Sequence, residues 1–223
     1  TSKTWSGIFI CIVIIFIAYD IIKRPRILIV YSYKPDSTWV REEEAAIKAV
    51  FDNSNERPSV RRHYLGMDKT WSGRTLDIIK SDVERSVRDF KPHIIISMDD
   101  EARTEIARDY AGRKDINVIF GGVDETKEWH PFFEQENVTG VLEKLPLSAT
   151  QELLNHIYKR NVNILVFGDG SFSARAEAKQ ILSYDWGESR IITSIQVKNF
   201  EGLKEMFLAN SSGADLVFIT GYR

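Results

Sequence analysis

The stretch Pro92-His93-Ile94-Ile95-Ile96-Ser97-Met98-Asp99-Asp100-Glu101-Ala102 constrains the fold more than any other part of the chain. Three consecutive β-branched apolar residues, bounded by a proline and by acids, predict a strand buried on both faces, as in the interior of a parallel sheet. Ala102, Ile106, Ala107 and Tyr110 follow at helical spacing. Ser97 to Glu101 are therefore expected to form the turn from the carboxyl end of that strand into the next helix. In open α/β sheets, ligands bind at such turns.

The same alternation runs through most of the sequence. Strands are expected at Ile27–Tyr31, Val60–Tyr64, Ile94–Ile96, Val118–Phe120 and Val138–Leu142, and again at Ile164–Phe167, Ile191–Val197 and Leu216–Thr220. Between them lie amphipathic segments, the clearest carrying Leu76, Ile79, Val83, Val87 and Phe90 at intervals of three and four. A capping box is expected at Ser148–Gln151. Glu125 to Asn137 is polar and aromatic without a clean period and reads as a loop with a helical turn. Strand–helix alternation implies parallel pairing with right-handed crossovers, hence an α/β protein of two Rossmann-like lobes, 25–143 and 144–223. With only three strands, the second lobe reads as incomplete, its last strand left without following cover.

Ahead of both lobes, Ile8 to Ala18 is an unbroken apolar run, extended by Trp5, Ile21 and Ile22. A helix from Trp5 to Ile22 would span about 27 Å at about 1.5 Å per residue, close to a hydrocarbon core. Residues 1–24 are accordingly expected to form one N-terminal transmembrane anchor, with 5–22 in the membrane. A signal-peptide core and a buried globular helix are the alternatives; against cleavage, Ala18 is followed by Tyr19, Asp20 and Ile21 rather than by a small-residue site. Lys23, Arg24 and Arg26 follow the run while Lys3 precedes it, which taken literally puts the main domain in the cytoplasm. A long domain can nevertheless be translocated despite such flanks.

Composition removes several functional classes. A net charge of -2 over 223 residues supplies no basic field for phosphate backbones, so nucleic acid is not an expected partner. The single cysteine, Cys11, sits in the apolar run, which leaves the lobes no disulfide and no thiol nucleophile. His63, His93, His130 and His156 lack metal-ligand spacing, and no metal is expected. Neither a nucleophile elbow nor a Walker sequence occurs, and Gly168-Asp169-Gly170 lacks the third glycine of a dinucleotide fingerprint. No catalytic residue and no cofactor are assigned, and the chain is not read as an enzyme.

Five stretches together resemble the substrate-binding proteins of bacterial ABC transporters, in the branch with a type I periplasmic-binding fold, and the related sensor domains of histidine kinases. They are Tyr31-Ser32-Tyr33-Lys34-Pro35 with Trp39, Gly66-Met67-Asp68-Lys69-Thr70, Ile96 to Ala102, Val118-Ile119-Phe120-Gly121-Gly122-Val123, and Asn137-Val138-Thr139-Gly140-Val141. They cover most of 26–154. The resemblance implies two lobes around a cleft, an extracytoplasmic (periplasmic) location at the inner membrane, and small ligands that include aromatic amino acids. The retained anchor and the short second lobe depart from that pattern.

The candidate ligand-binding residues are Tyr33, Trp39, Ser97, Asp99, Asp100, Gly121, Gly122, Asp124, Asp169 and Ser171. Tyr33 and Trp39 offer aromatic faces and a donor each, or else pack on their own helix. Of Asp99 and Asp100, one is expected to cap the helix near Glu101 and the other to meet a ligand ammonium or hydroxyl. Gly121 and Gly122 permit close backbone approach beside Asp124. Gly168 to Ser171 reads as a tight turn, with the amides of Ser171 and Phe172 as the candidate carboxylate site. The expected function is a membrane-anchored solute-binding domain that reports ligand closure to a transporter or sensor partner; the alternative is an accessory subunit of a membrane complex with the same fold.

Overall fold

The computed structural model describes residues 12–16, 19, 23–67, 76–124 and 130–221. Most of the expected membrane anchor therefore lies outside the described residues, as do Asp68, Lys69 and Thr70. Residues 12–16 are helical, and among the described residues no helix is long and apolar enough to cross a membrane.

Strand and helix alternate as the apolar spacing requires. The order begins β1 (Arg26–Tyr31), α1 (Thr38–Asp52), β2 (Ser59–Tyr64), α2 (Leu76–Phe90), β3 (Ile94–Met98) and α3 (Asp99–Glu105), then a 3-10 turn at Ala107–Tyr110. It continues with β4 (Asn117–Asp124), the short α4 (His130–Phe133), β5 (Val138–Glu143), α5 (Leu147–Tyr158) and β6 (Asn163–Gly168). The last elements are α6 (Phe172–Ser183), β7 (Arg190–Gln196), α7 (Phe200–Asn210) and β8 (Leu216–Thr220). The strands form a five-stranded sheet in the order β2-β1-β3-β4-β5 and a three-stranded sheet in the order β7-β6-β8. Two compact units result, Thr1–Phe120 with Glu134–Gly140, and Gly121–Phe133 with Val141–Arg223, the chain passing from one to the other inside β4 and inside β5.

In the first unit β1 lies between β2 and β3, parallel to both, with Ile27 opposite Val60 and Ile94 and Tyr31 opposite Tyr64 and Met98. Its two edges are hydrogen-bonded to strands and its two faces are covered by other elements, so Ile27 to Tyr31 are all buried. Ile27, Ile29 and Tyr31 meet Val40, Ile47 and Phe51 of α1. Leu28 and Val30 point the other way and are equally buried. Each such side chain removed from water contributes roughly 1.5–3 kcal/mol.

The second unit repeats the arrangement around β6, whose residues Ile164 to Phe167 are fully buried and which pairs in parallel with β7 and β8. Ile164 and Val166 face Leu154 of α5, Ala178 and Ile181 of α6, and Trp186; Leu165 and Phe167 face Val197 and Leu203. Among the described residues β8 pairs only with β6, and its Ile219 is exposed.

Three local expectations are corrected. Ser97 and Met98 are strand rather than turn, because β3 stays in register with Val30 and Tyr31 of β1 to its end. Gly121 to Asp124 likewise belong to β4, with Gly122 at φ +63° inside the strand. Ser148 does not cap α5: the helix opens one residue earlier, and the Pro146 carbonyl accepts from both Thr150 N and Thr150 Oγ1 at 3.0 Å.

Gly140 is required by close packing between β4 and β5. A Cβ there would lie 2.1 Å from the Phe120 carbonyl oxygen, and backbone cannot yield as a flexible side chain does. Gly140→Ala is expected to lose roughly 1–3 kcal/mol or more in urea unfolding, whereas Gly213→Ala, where an added Cβ meets nothing within 4 Å, should change stability by less than about 0.5 kcal/mol. Equal effects in the two variants would refute the steric account.

Candidate functional site

β3 enters α3 without an intervening loop, and the chain turns on Asp99, whose φ of +69° lies in the left-handed region. Aspartate tolerates that conformation better than most residues with a Cβ, at a cost of roughly 1–3 kcal/mol. Ser32, just beyond β1, fastens the junction. Its hydroxyl donates to the Met98 carbonyl at 2.9 Å and accepts from the Ala102 N–H at 2.8 Å. Those two groups would bond to each other in a regular α-helix, so the Ser32 oxygen stands inside the first turn as a relay. Its own carbonyl accepts from Met67 N at 2.9 Å, which brings in the segment after β2.

Around this knot three adjacent carboxylates meet different fates. Asp100, 2% exposed, is paired at 2.7 Å with Arg103, which is 0% exposed. Glu101 accepts from the Tyr33 hydroxyl at 3.2 Å, and burial raises its pKa. Asp99 accepts from the Trp39 indole N–H through Oδ1 at 3.1 Å, while Oδ2 is buried with no hydrogen-bond partner among the described residues. Burial is the main cause that pushes the Asp99 carboxyl up to about 8, and the like charge of Glu43 is next; the Trp39 hydrogen bond opposes both and is outweighed.

The charge of Glu43 also acts on the Tyr31 phenol, whose pKa is raised first by burial and then by Glu44. The Tyr31 ring stacks on Tyr64 at 5.3 Å, and Tyr64 donates to Glu44 at 2.5 Å. The Tyr31 hydroxyl itself has no hydrogen-bond partner among the described residues. Trp39 and Glu43, one helical turn apart on α1, thus bring a donor and a carboxylate to the same strand ends.

The structure brings Tyr33, Trp39 and Asp99 together, with Glu101 as a fourth member. Neither aspartate caps α3: the N-cap position is Met98, Asp99 is turned toward Trp39, and Asp100 is paired with Arg103. Ser97 is fully buried, with its Oγ lacking a partner among the described residues, but it alternates away from Ile96 and Met98, which pack on the α1 side. In the second unit Gly168 is the last residue of β6 rather than part of a turn, and Gly170, at φ +75°, bends the chain into α6. Asp169 Oδ1 takes the Ser171 N–H at 2.9 Å, so that amide is not open to a ligand carboxylate, and Ser171 Oγ caps α6 by accepting from Ala174 N. Gly121 and Gly122 are half-buried in β4, which Asp124 ends.

Glu43, Glu101, Ser32 and Arg103 are the members that sequence reasoning missed. Helical spacing from Trp39 would have found Glu43, and spacing from Asp100 would have found Arg103; nothing local marks Ser32.

An α/β chain with parallel sheets and polar groups gathered at the strand ends is consistent with the periplasmic-binding-protein class of fold. Solved structures of substrate-binding proteins are similar to it. One is the ligand-free, open form of CD0873, a substrate-binding protein with adhesive properties from Clostridium difficile, at TM-score 0.56 and 13% identity over 87% of this chain and 65% of that one. Another is an ABC domain in complex with L-Trp from Streptococcus pneumoniae, at TM-score 0.62 and 12% identity over 88% of this chain and 65% of that one. This chain thus spans 65% of the length of each, and at such identities the likeness is one of fold. No protein-family model matches the chain, and no curated protein does.

Two stability predictions come from the carboxylates. Arg103→Met, which leaves Asp100 charged and uncompensated, is expected to cost about 3–5 kcal/mol in urea unfolding, and adding Asp100→Leu should restore most of it. No recovery in the double variant would show that the pair is not the cause. Asp99 holds its proton to about 8 when folded but only to about 4 when unfolded. Between those values the folded state binds more protons, so stability falls as pH rises from about 4 to about 8 and levels off above. Asp99→Asn removes that loss, and its stability relative to wild type should climb across the window. A difference that is the same at pH 5 and pH 8 would refute the assignment.

Proposed function

We propose that this chain is the ligand-recognising part of an extracytoplasmic solute-binding protein of ABC-transporter type. Its ligand is a small organic molecule bearing an ammonium group, in the first instance an amino acid. The Asp99 carboxylate takes the ammonium through Oδ2 while Trp39, 48% exposed, offers the face of its indole to the rest of the ligand. In this reading the protein binds its ligand and does not transform it.

One observation carries the reading: a buried carboxylate at the carboxyl end of a central strand, fixed on one oxygen and unsatisfied on the other among the described residues. Buried polar groups are mostly paired, and in this reading a ligand is the partner of this one, which lies close to a second buried carboxylate oxygen, Oε2 of Glu43. The fold likeness to substrate-binding proteins, one of them holding L-Trp, supports the same reading. The apolar segment 5–22 is the proposed anchor in the inner membrane, with the folded units on the periplasmic side and an integral membrane transporter or sensor as partner.

Titration calorimetry of the full chain against the amino acids tests this. Heat is expected from L-tryptophan or another aromatic member, and Asp99→Asn and Trp39→Ala should each weaken binding at least about tenfold, the worth of one charge-assisted hydrogen bond. A folded protein that gives no heat with any amino acid would reject the proposal.

A further inference from the structure

We propose that ligand capture at Asp99 is coupled to the release of one proton. This rests on the amino-acid reading just given and adds a regulation that the reading does not contain. Before binding, Asp99 carries the proton on Oδ2; the arriving ammonium replaces it, the O–H bond breaks, the electron pair stays on the carboxylate, and the proton leaves to solvent.

The arrangement of groups around Asp99 supports this. From α1 it is faced by Trp39, whose indole N–H occupies Oδ1, and by the Glu43 carboxylate. From α3 it is faced by Glu101 and Asp100, and Arg103, a buried cation among the described residues, is paired with Asp100 at 2.7 Å. Tyr33 from the end of β1 gives its hydroxyl to Glu101 rather than to Asp99. The main charges acting on Asp99 from the described residues are thus of its own sign, and the residue is 4% exposed, so an ionised carboxylate is both desolvated and repelled by them. The Trp39 donor does not offset this, and the carboxyl is pushed up to about 8. A ligand ammonium supplies the missing countercharge and reverses the preference. Binding and deprotonation are then linked, each favouring the other by the same free energy.

The coupling sets a direction. Below about pH 8 the site must lose a proton to bind, so affinity for an ammonium ligand should rise about tenfold per pH unit from pH 6 toward pH 8 and then level off. The ligand senses pH through the site, without any histidine.

The test has one arm without ligand and one with it. In the free full chain, the indole ¹H–¹⁵N signal of Trp39, assigned by Trp39→Phe, should titrate with a midpoint near pH 8; Asp99→Asn should abolish the transition and Glu43→Gln should move it to lower pH. A flat Trp39 signal from pH 6 to pH 9 would overturn the proposal whatever binds, and so would a midpoint that ignores Glu43→Gln. Calorimetry with L-tryptophan at pH 7, in buffers of different ionisation enthalpy, should show nearly one proton released, falling toward none above pH 9. Binding heat independent of the buffer would overturn the coupling while leaving the amino-acid reading intact. A titrating Trp39 with no heat from L-tryptophan would remove the amino-acid ligand and the coupling with it.

Discussion

The Ser32 hydroxyl holds the architecture of the first unit together at one point. Lying between the Met98 carbonyl and the Ala102 amide, it is at once the end of β1, the end of β3 and part of the first turn of α3. Each of its bonds contributes only about 1 kcal/mol, but the one from Ala102 is buried and the one to Met98 partly so, and a buried backbone group left unpaired costs more than the bond is worth. The position of α3 on the sheet, and hence of Asp99, Asp100 and Glu101, follows from that serine being where it is.

Once α3 is placed, its three leading acids have to be accommodated in a region with little water. Asp100 finds Arg103 three residues on, on the same helix face. Glu101 finds the Tyr33 hydroxyl. Asp99, with its left-handed backbone, finds the Trp39 indole and the Glu43 carboxylate, and no cation appears among the main charges that the described residues bring to it.

What could be read in advance follows the range of the physics involved. The strands built on β-branched runs, such as Ile27–Val30 and Ile94–Ile96, were legible because burial on both faces demands continuous apolar sequence. Their exact ends were not: Ser97, Met98 and Gly121 to Asp124 are strand because neighbouring strands hold them in register, which no local pattern encodes. The capping box at Ser148 failed for the same reason, since the Pro146 carbonyl serves Thr150 and the helix starts at the buried Leu147. Tyr33, Trp39 and Asp99 were named as individual candidates at the right strand ends. Their meeting was not visible, because the Trp39–Asp99 bond joins residues 60 apart and Glu43 sat unremarked in an acidic helix face.

A strand that becomes a helix at a single residue leaves no slack. Had a flexible connection separated Met98 from α3, a pull on the Asp99 carboxyl would dissipate in loop torsions. Here the same pull reaches the Ser32 relay within one peptide unit and passes through it to the central strand. The Asp99 carboxyl and the central strand are therefore joined by a short chain of covalent and hydrogen bonds with no loop between them.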